Sequence, residues 1–293
     1  MNELDKFLLR VEGLLDRLDS MLPRPANAPD CGVVHALRWR RRANQAYLQP
    51  VTHPHRIQLS DLCGIDRQRK LVEDNTLQFI EGLGANNVLL TGARGTGKSS
   101  LIKALLNRYA QRGLRLIEVD KNDLVDLPDI VDLIADLPFK FILFCDDLSF
   151  DSEEPGYKAL KVVLDGSIAA TSDNVLVYAT SNRRHLMPEF MSENLETKYR
   201  GEEIHPGESV EEKISLSERF GLWVSFYPFD QDEFVLIVNQ WLRHFGVPPG
   251  AIDAARLEAL QWALSRGSRS GRVAWQFARD FAGRHRVRAR TSD

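Results

Sequence analysis

The chain has 293 residues, 43% of them hydrophobic and 27% charged, with a formal net charge of −3. The length suits one large domain or two smaller ones, and the near-neutral balance gives no whole-chain reason to expect nucleic acid. The three cysteines, Cys31, Cys63 and Cys145, are scattered without paired spacing, which argues against a disulfide framework or a cysteine-built zinc site and for a reducing compartment. No apolar run approaches the length of a membrane span and the acidic N-terminus lacks a signal-peptide pattern, so the expectation is a cytoplasmic protein with no membrane partner.

Residues 3–22 carry apolar side chains at three- and four-residue intervals (Leu4, Phe7, Leu8, Val11, Leu14, Leu15, Leu18), which predicts an amphipathic helix. Such a stripe must be covered, and two covers are open: its own domain, or a partner helix. The proline-rich segment 23–29 breaks the chain. Next, within residues 35–49, comes Leu37-Arg38-Trp39-Arg40-Arg41-Arg42. Interleaved basic and aromatic residues suit nucleic acid, through phosphate pairing and stacking, and equally suit acidic parts of this protein or of a neighbouring subunit. The pair His53-x-His55 lies beside Pro50 and Pro54 and is read as exposed, not as a metal site. Residues 1–56 are expected to form a helical N-terminal extension.

A helix is predicted over 66–81, and then a short buried strand, Val88-Leu89-Leu90, runs into a glycine-rich turn. Its residues Gly92, Ala93, Arg94, Gly95, Thr96, Gly97, Lys98, Ser99 and Ser100 fit G-x-x-x-x-G-K-[ST], a phosphate-binding loop. The spelling follows from the chemistry. Glycines allow successive backbone N–H groups to turn inward around a polyanion, and the helix that opens at about Ser99 adds its unpaired N–H groups. Lys98 supplies charge for the β- and γ-phosphates, and Ser99 a hydroxyl ligand for Mg²⁺. Nucleotide binding is the direct implication, with ATP or ADP as ligand and Mg²⁺ as cofactor.

Further along, strands are predicted over 114–119, 139–145 and 175–180, helices over 130–136 and 157–168, and a last strand over 222–227. The nearly continuous apolar runs suit a parallel sheet covered on both faces. The run Phe139–Cys145 delivers Asp146 and Asp147 at a strand end. Asp146 is suited to the Mg²⁺ shell, and Asp147 to orienting or deprotonating the attacking water. The strand 175–180 leads into Ser181-Asn182; Asn182, placed between the two motif strands, would reach the γ-phosphate or the water. Residues 192–213 are acidic and punctuated by glycine and proline, an insertion outside the core. Helices over 230–245, 254–265 and 270–284 follow, ending in an arginine-rich stretch.

Together, the phosphate loop, the apolar strand with paired acids, the strand ending in Thr-Ser-Asn and the segment Ser217-Glu218-Arg219-Phe220-Gly221 resemble an AAA+ ATPase. The resemblance spans about residues 57–285. It implies a parallel five-stranded sheet flanked by helices over 57–228, and a helical lid over 229–293. It also implies Mg·ATP hydrolysis at the interfaces of a homo-oligomer that acts on a protein partner. By position, Gly92–Ser99 resembles Walker A, Leu143–Asp147 resembles Walker B, and Asn182 falls at sensor 1. Arg219 falls where an arginine finger completes a neighbour's site. Arg272, with Arg269 as the alternative, falls near sensor 2, and Gly64 and Ile65 fall where the chain lies against adenine. More closely, the blocks G-I-D-R-Q, F-C-D-D-L-S-F, A-T-S-N-R-R-H-L and E-E-K-I-S-L-S-E-R-F-G-L resemble a bacterial AAA+ family classed as a domain of unknown function, the domain-of-unknown-function 815 family. Two departures stand out. Asp147 occupies a position where most AAA+ proteins have Glu, one methylene longer, which predicts slow turnover. The loop 121–128 lacks the aromatic–hydrophobic–glycine trio of polypeptide-threading members.

Overall fold

The computed structural model describes residues 29–42, 45–150, 155–165, 173–182, 198–200, 203–205 and 218–291. The predicted helix over 3–22 and most of the acidic segment 192–213 lie outside them. Within that segment Lys198–Arg200 (β7) and Glu203–His205 (β8) pair as a separate antiparallel ribbon.

The central sheet has seven strands in the order β2-β1-β4-β5-β6-β3-β9. Five are the expected parallel strands: β3 (Val88–Gly92), β4 (Leu114–Glu118), β5 (Lys140–Cys145), β6 (Val175–Ser181) and β9 (Leu222–Phe226). The other two, β1 (Ala36–Arg42) and β2 (Gln45–Pro50), form an antiparallel hairpin whose first strand runs parallel to β4. The five-stranded count and the assignment of 36–50 to a helical extension are therefore corrected. The physical reason is a period of two, not of three or four. Leu37 and Trp39 face the core with Leu48, which pairs across the hairpin with Trp39, while Arg38 and Arg40 point the other way. Arg38 stands opposite Glu118 in the β1–β4 register and forms an ion pair with it at 2.6 Å. Trp39 Nε1 and Arg41 Nη2 donate to the two oxygens of the buried Asp126, at 2.9 and 2.6 Å.

Helices cover both faces of the sheet, which is why its middle strands are apolar on both sides. Val88, Leu90, Ile142, Phe144 and Tyr178 belong to one core with α1 (Asp66–Ile80) and α2 (Lys98–Tyr109). Leu89, Phe141, Leu143, Val177 and Ala179 belong to the other, with α3 (Leu127–Ile134) and α4 (Pro155–Asp165). Alternation along each strand sorts neighbouring side chains between the two cores.

The lid has three helices, α5 (Gln231–His244), α6 (Pro249–Ser265) and α7 (Gly271–Thr291). Asp230 and Glu233 form a reciprocal capping box that starts α5. Pro248 and Pro249 do not merely break the chain. Pro249 is the first residue of α6, where its missing N–H costs nothing. Ala274, Phe277 and Ala278 form the expected apolar stripe of α7, and the lid core is continuous with that of α1 and α2.

Candidate nucleotide site

The phosphate loop joins the buried strand β3 to the start of α2, and three of its residues need left-handed backbone: Gly92 (φ 116°), Gly95 (φ 73°) and Gly97 (φ 98°). At Gly92 space forbids a side chain as well as torsion, since a Cβ there would lie 1.9 Å from the Phe226 carbonyl oxygen. That same oxygen accepts from Ala93 N–H at 3.1 Å, tying the loop to the end of β9. Thr96 Oγ1 donates to Ala93 O at 2.8 Å, bracing the loop across itself.

Lys98 is buried inside this turn, and its ammonium donates to Gly92 O and Ala93 O, each at 2.7 Å, and to Asn182 Oδ1 at 3.1 Å. Burial pushes its pKa down to about 8, against the opposing pull of Asp147 and Asp146. The sheet order explains why these groups meet. Strand β6 lies between β3 and β5, so Asn182 at its end stands between the loop and the two acids, as its sequence position implied. Ser99 Oγ donates to Asp146 Oδ1 at 2.6 Å, and Asn182 Nδ2 donates to Asp147 Oδ1.

These residues line one cleft of about 620 Å³, bounded by the loop, the acid pair and the lid. Ile65 and Leu62 lie against Gly97 and, with Phe229, Ile237 and Trp241, make up the apolar lining of the cleft. Gly64 has φ 73° and packs against Phe229, and does not itself line the cleft. A hydrogen-bonded latch closes the apolar lining, with Cys63 Sγ donating to Gln240 Oε1 and Gln240 Nε2 donating to Ser60 O at 2.7 Å. Burial raises the Cys63 pKa and keeps it a protonated donor.

The lid touches the loop directly, through Gly271 N–H to Gly95 O at 2.8 Å. Ser270 caps α7, its Oγ accepting from Val273 N–H at 3.3 Å. Arg272, in the first turn of α7, lines the cleft; Arg269 is exposed and does not. Arg94, Thr96, Ser100 and Lys103 complete the polar rim, and the exposed His55 reaches the cleft mouth, whereas His53 does not. Arg219 does not line this cleft; it pairs with Asp165 at the end of α4. Of the sequence-derived site residues, Gly64, Gly92 and Ala93 adjoin the cleft lining without belonging to it, and Arg219 is held apart from the rest.

Sequence reasoning missed several contributors. Thr180, buried at the end of β6, donates to Asp146 Oδ1 at 2.6 Å and accepts from Asp147 N–H at 2.9 Å. Its only sequence signal is a hydroxyl residue two positions before Asn182. Ser270 and the lid aromatics Trp241 and Trp275 had no signal beyond lying in predicted helices or at their ends.

A family model described as protein of unknown function (DUF815) matches residues 32–285. No curated protein matches. Among solved structures, the Aeropyrum pernix ORC1 protein in complex with DNA is 15% identical, with a TM-score of 0.51, over 73% of this chain and 58% of that one. A Thermotoga maritima RuvB mutant is 14% identical, with a TM-score of 0.49, over 76% of this chain and 63% of that one. A chain of the Escherichia coli MS115-1 HORMA:CdnC:Trip13 complex is 12% identical, with a TM-score of 0.47, over 76% and 90%. This chain thus spans about three fifths of the RuvB and ORC1 chains, and at such identities the likeness concerns the fold alone. With a phosphate loop, paired acids and an intervening Asn182 on adjacent parallel strands under a helical lid, the chain has the AAA+ P-loop fold and belongs to the DUF815 family.

Proposed function

We propose that the cleft binds Mg·ATP and hydrolyses it to ADP and phosphate, at the interfaces of a homo-oligomer whose conformational change acts on a protein partner. The observation that carries this reading is the Ser99–Asp146 hydrogen bond, which brings the two motifs together through side chains suited to one divalent cation. The pair fits Mg²⁺, which takes hard oxygen ligands and keeps waters and substrate phosphates for its remaining positions. Ser99 and Asp146 would hold the ion, which when bound neutralises charge on the β- and γ-phosphates.

Lys98 and Arg272 bind and orient the phosphates, and the wall of Ile65, Leu62 and Trp241 takes the base. The water oxygen attacks the γ-phosphorus and the bond to the β–γ bridging oxygen breaks. Asp147, oriented by Asn182, accepts the water's proton, and the leaving oxygen remains on ADP. Arg219 lies away from its own cleft, and we assign it to a neighbour's γ-phosphate. Three free thiols suit a reducing, cytoplasmic setting, and among the described residues no helix is long and apolar enough to cross a membrane.

A second reading, a nucleotide-controlled binding protein with little turnover, is favoured by the short acid at Asp147. The nucleic-acid reading loses support. Arg38 and Arg41 pair with Glu118 and Asp126, Arg284 pairs with Asp280 and Glu258, and Arg286 donates to Phe245 O. Steady-state phosphate release separates the first two readings. Lys98-dependent turnover that disappears in Asp147→Asn, with nucleotide affinity retained, supports the ATPase. Tight binding without turnover in the assembled wild type supports the switch.

A further inference from the structure

Asp147 has φ 53°, the only non-glycine residue among those described in the left-handed region. L-residues resist that conformation, aspartate and asparagine least, and such backbone persists where the surroundings hold it. Here the holder is identifiable. Thr180 Oγ1 accepts the Asp147 N–H at 2.9 Å, and Thr180 O accepts the Leu148 N–H at 2.7 Å, so one residue grips both peptides that flank the turn. The same hydroxyl has a single proton, and it is committed to Asp146 Oδ1 at 2.6 Å. Thr180 is 2% exposed, so the rest of its surface is held by protein.

This deepens the proposed ATPase reading and rests on it. We infer that Thr180 is a positioning residue that sets both acids with one hydroxyl. By donating, it orients the magnesium-side carboxylate of Asp146. By accepting, it holds the left-handed turn that brings the carboxylate of Asp147 onto Asn182. The turn also accounts for aspartate at a position where the resembled proteins have glutamate. The left-handed backbone favours the shorter acid, and the turn, not side-chain length, carries the carboxylate to its place.

The test compares Thr180→Val, which keeps the shape and loses the hydroxyl, with Thr180→Ser, which keeps the hydroxyl. Phosphate release, affinity for a non-hydrolysable ATP analogue and the Mg²⁺ dependence of turnover are measured at concentrations where the protein is assembled. The expected result for Thr180→Val is a fall in kcat of at least about tenfold, a higher Mg²⁺ requirement, and analogue affinity within about threefold of wild type. Thr180→Ser should stay within about threefold of wild type throughout. Should the valine variant not fold, Thr180→Ala carries the same expectation. In parallel, Asp147→Glu should not turn over faster than wild type. Valine-variant turnover equal to wild type, or loss of analogue binding together with turnover, overturns the positioning role and leaves the ATPase reading standing. A faster Asp147→Glu removes the account of the short acid. A wild-type protein with no Lys98-dependent turnover removes the reading and the inference together.

Discussion

Lys98 makes nucleotide binding sensitive to alkaline pH. Its ammonium is buried among carbonyls, and burial lowers its pKa from the ordinary 10.5 to about 8. A polyphosphate in the loop stabilises the charged form, so binding returns the pKa upward and takes up a proton wherever free Lys98 is neutral. The sign is fixed by the direction of the shift. Below pH 8 the ammonium is already present and affinity is flat; above it, each pH unit lowers the charged fraction tenfold. From pH 7 to pH 9 the dissociation constant should rise about tenfold, or about 1.4 kcal/mol, with about half a proton taken up per nucleotide at pH 8. Titration calorimetry in two buffers of different ionisation enthalpy measures both quantities. Lys98→Arg, charged throughout, should bind with little pH dependence across this range. A wild-type affinity that stays level to pH 9 with no proton uptake would refute the reasoning. In the free protein the same shift acts the other way. Between about pH 8 and 10.5 the unfolded chain holds more protons at this site, so its contribution to stability grows with pH.

Other perturbations have equally definite outcomes. Arg219→Ala should lower turnover about 100-fold or more in the assembled protein. Mixing it with Lys98→Ala subunits, which keep Arg219, should restore part of the activity; no recovery in mixtures shown to co-assemble counts against a role in trans. Gly95→Ala forces an L-residue to φ 73° and puts a Cβ 2.9 Å from the Ser270 side chain. It should reduce stability by about 1–3 kcal/mol and weaken nucleotide binding, as followed by denaturant unfolding and calorimetry; wild-type values for both would show that the lid does not bear on the loop. Asp126→Ala strands the buried Trp39 indole N–H and removes the Arg41 partner. About 2–3 kcal/mol of unfolding free energy should be lost, with nucleotide affinity unchanged, and an unaltered denaturation midpoint would deny the clip its structural role.

The legible parts of the site are those whose chemistry is spelled locally. Gly92, Gly95 and Gly97 are each required by their own backbone torsion, and the acids follow an apolar run that has to be a buried strand. Asn182 is legible because it directly follows the apolar strand 175–180, which the sheet sets between β3 and β5. The hairpin 36–50 was illegible for the opposite reason. Its alternation is interrupted by arginines, two of whose partners, Glu118 and Asp126, lie far along the chain, so sequence alone leaves the cluster open between a ligand surface and acidic parts of this protein; the fold pairs Arg38 and Arg41 within the chain. Thr180 and Ser270 escaped because a hydroxyl at a strand or helix end is common, and only the partner across the fold gives it a task. Arg272 over Arg269 was undecidable from sequence, since both precede or begin α7. The helix start at Gly271 sets which one faces the cleft.

The three glycines of the phosphate loop also show what the site is connected to, because each faces a different part of the molecule, Gly92 and Gly95 so closely that a Cβ would clash. Gly92 is closed off by the Phe226 carbonyl at the end of β9, the strand that Arg219 precedes by three positions. Gly95 is closed off by Ser270, at the point where Gly271 bonds to the loop and Arg272 enters the cleft. Gly97 rests on Leu62 and Ile65, the wall proposed for the base. A displacement of the loop by phosphates therefore cannot be absorbed in open space. At Gly92 and Gly95 it would push on the strand next to the arginine assigned to a neighbour and on the lid together. Close-packed contacts of this kind transmit sub-ångström shifts because interiors are stiff. Nucleotide state, lid angle and the presentation of Arg219 are thus expected to change as one unit, and a substitution that opens any of the three contacts should uncouple that element while leaving the others responsive.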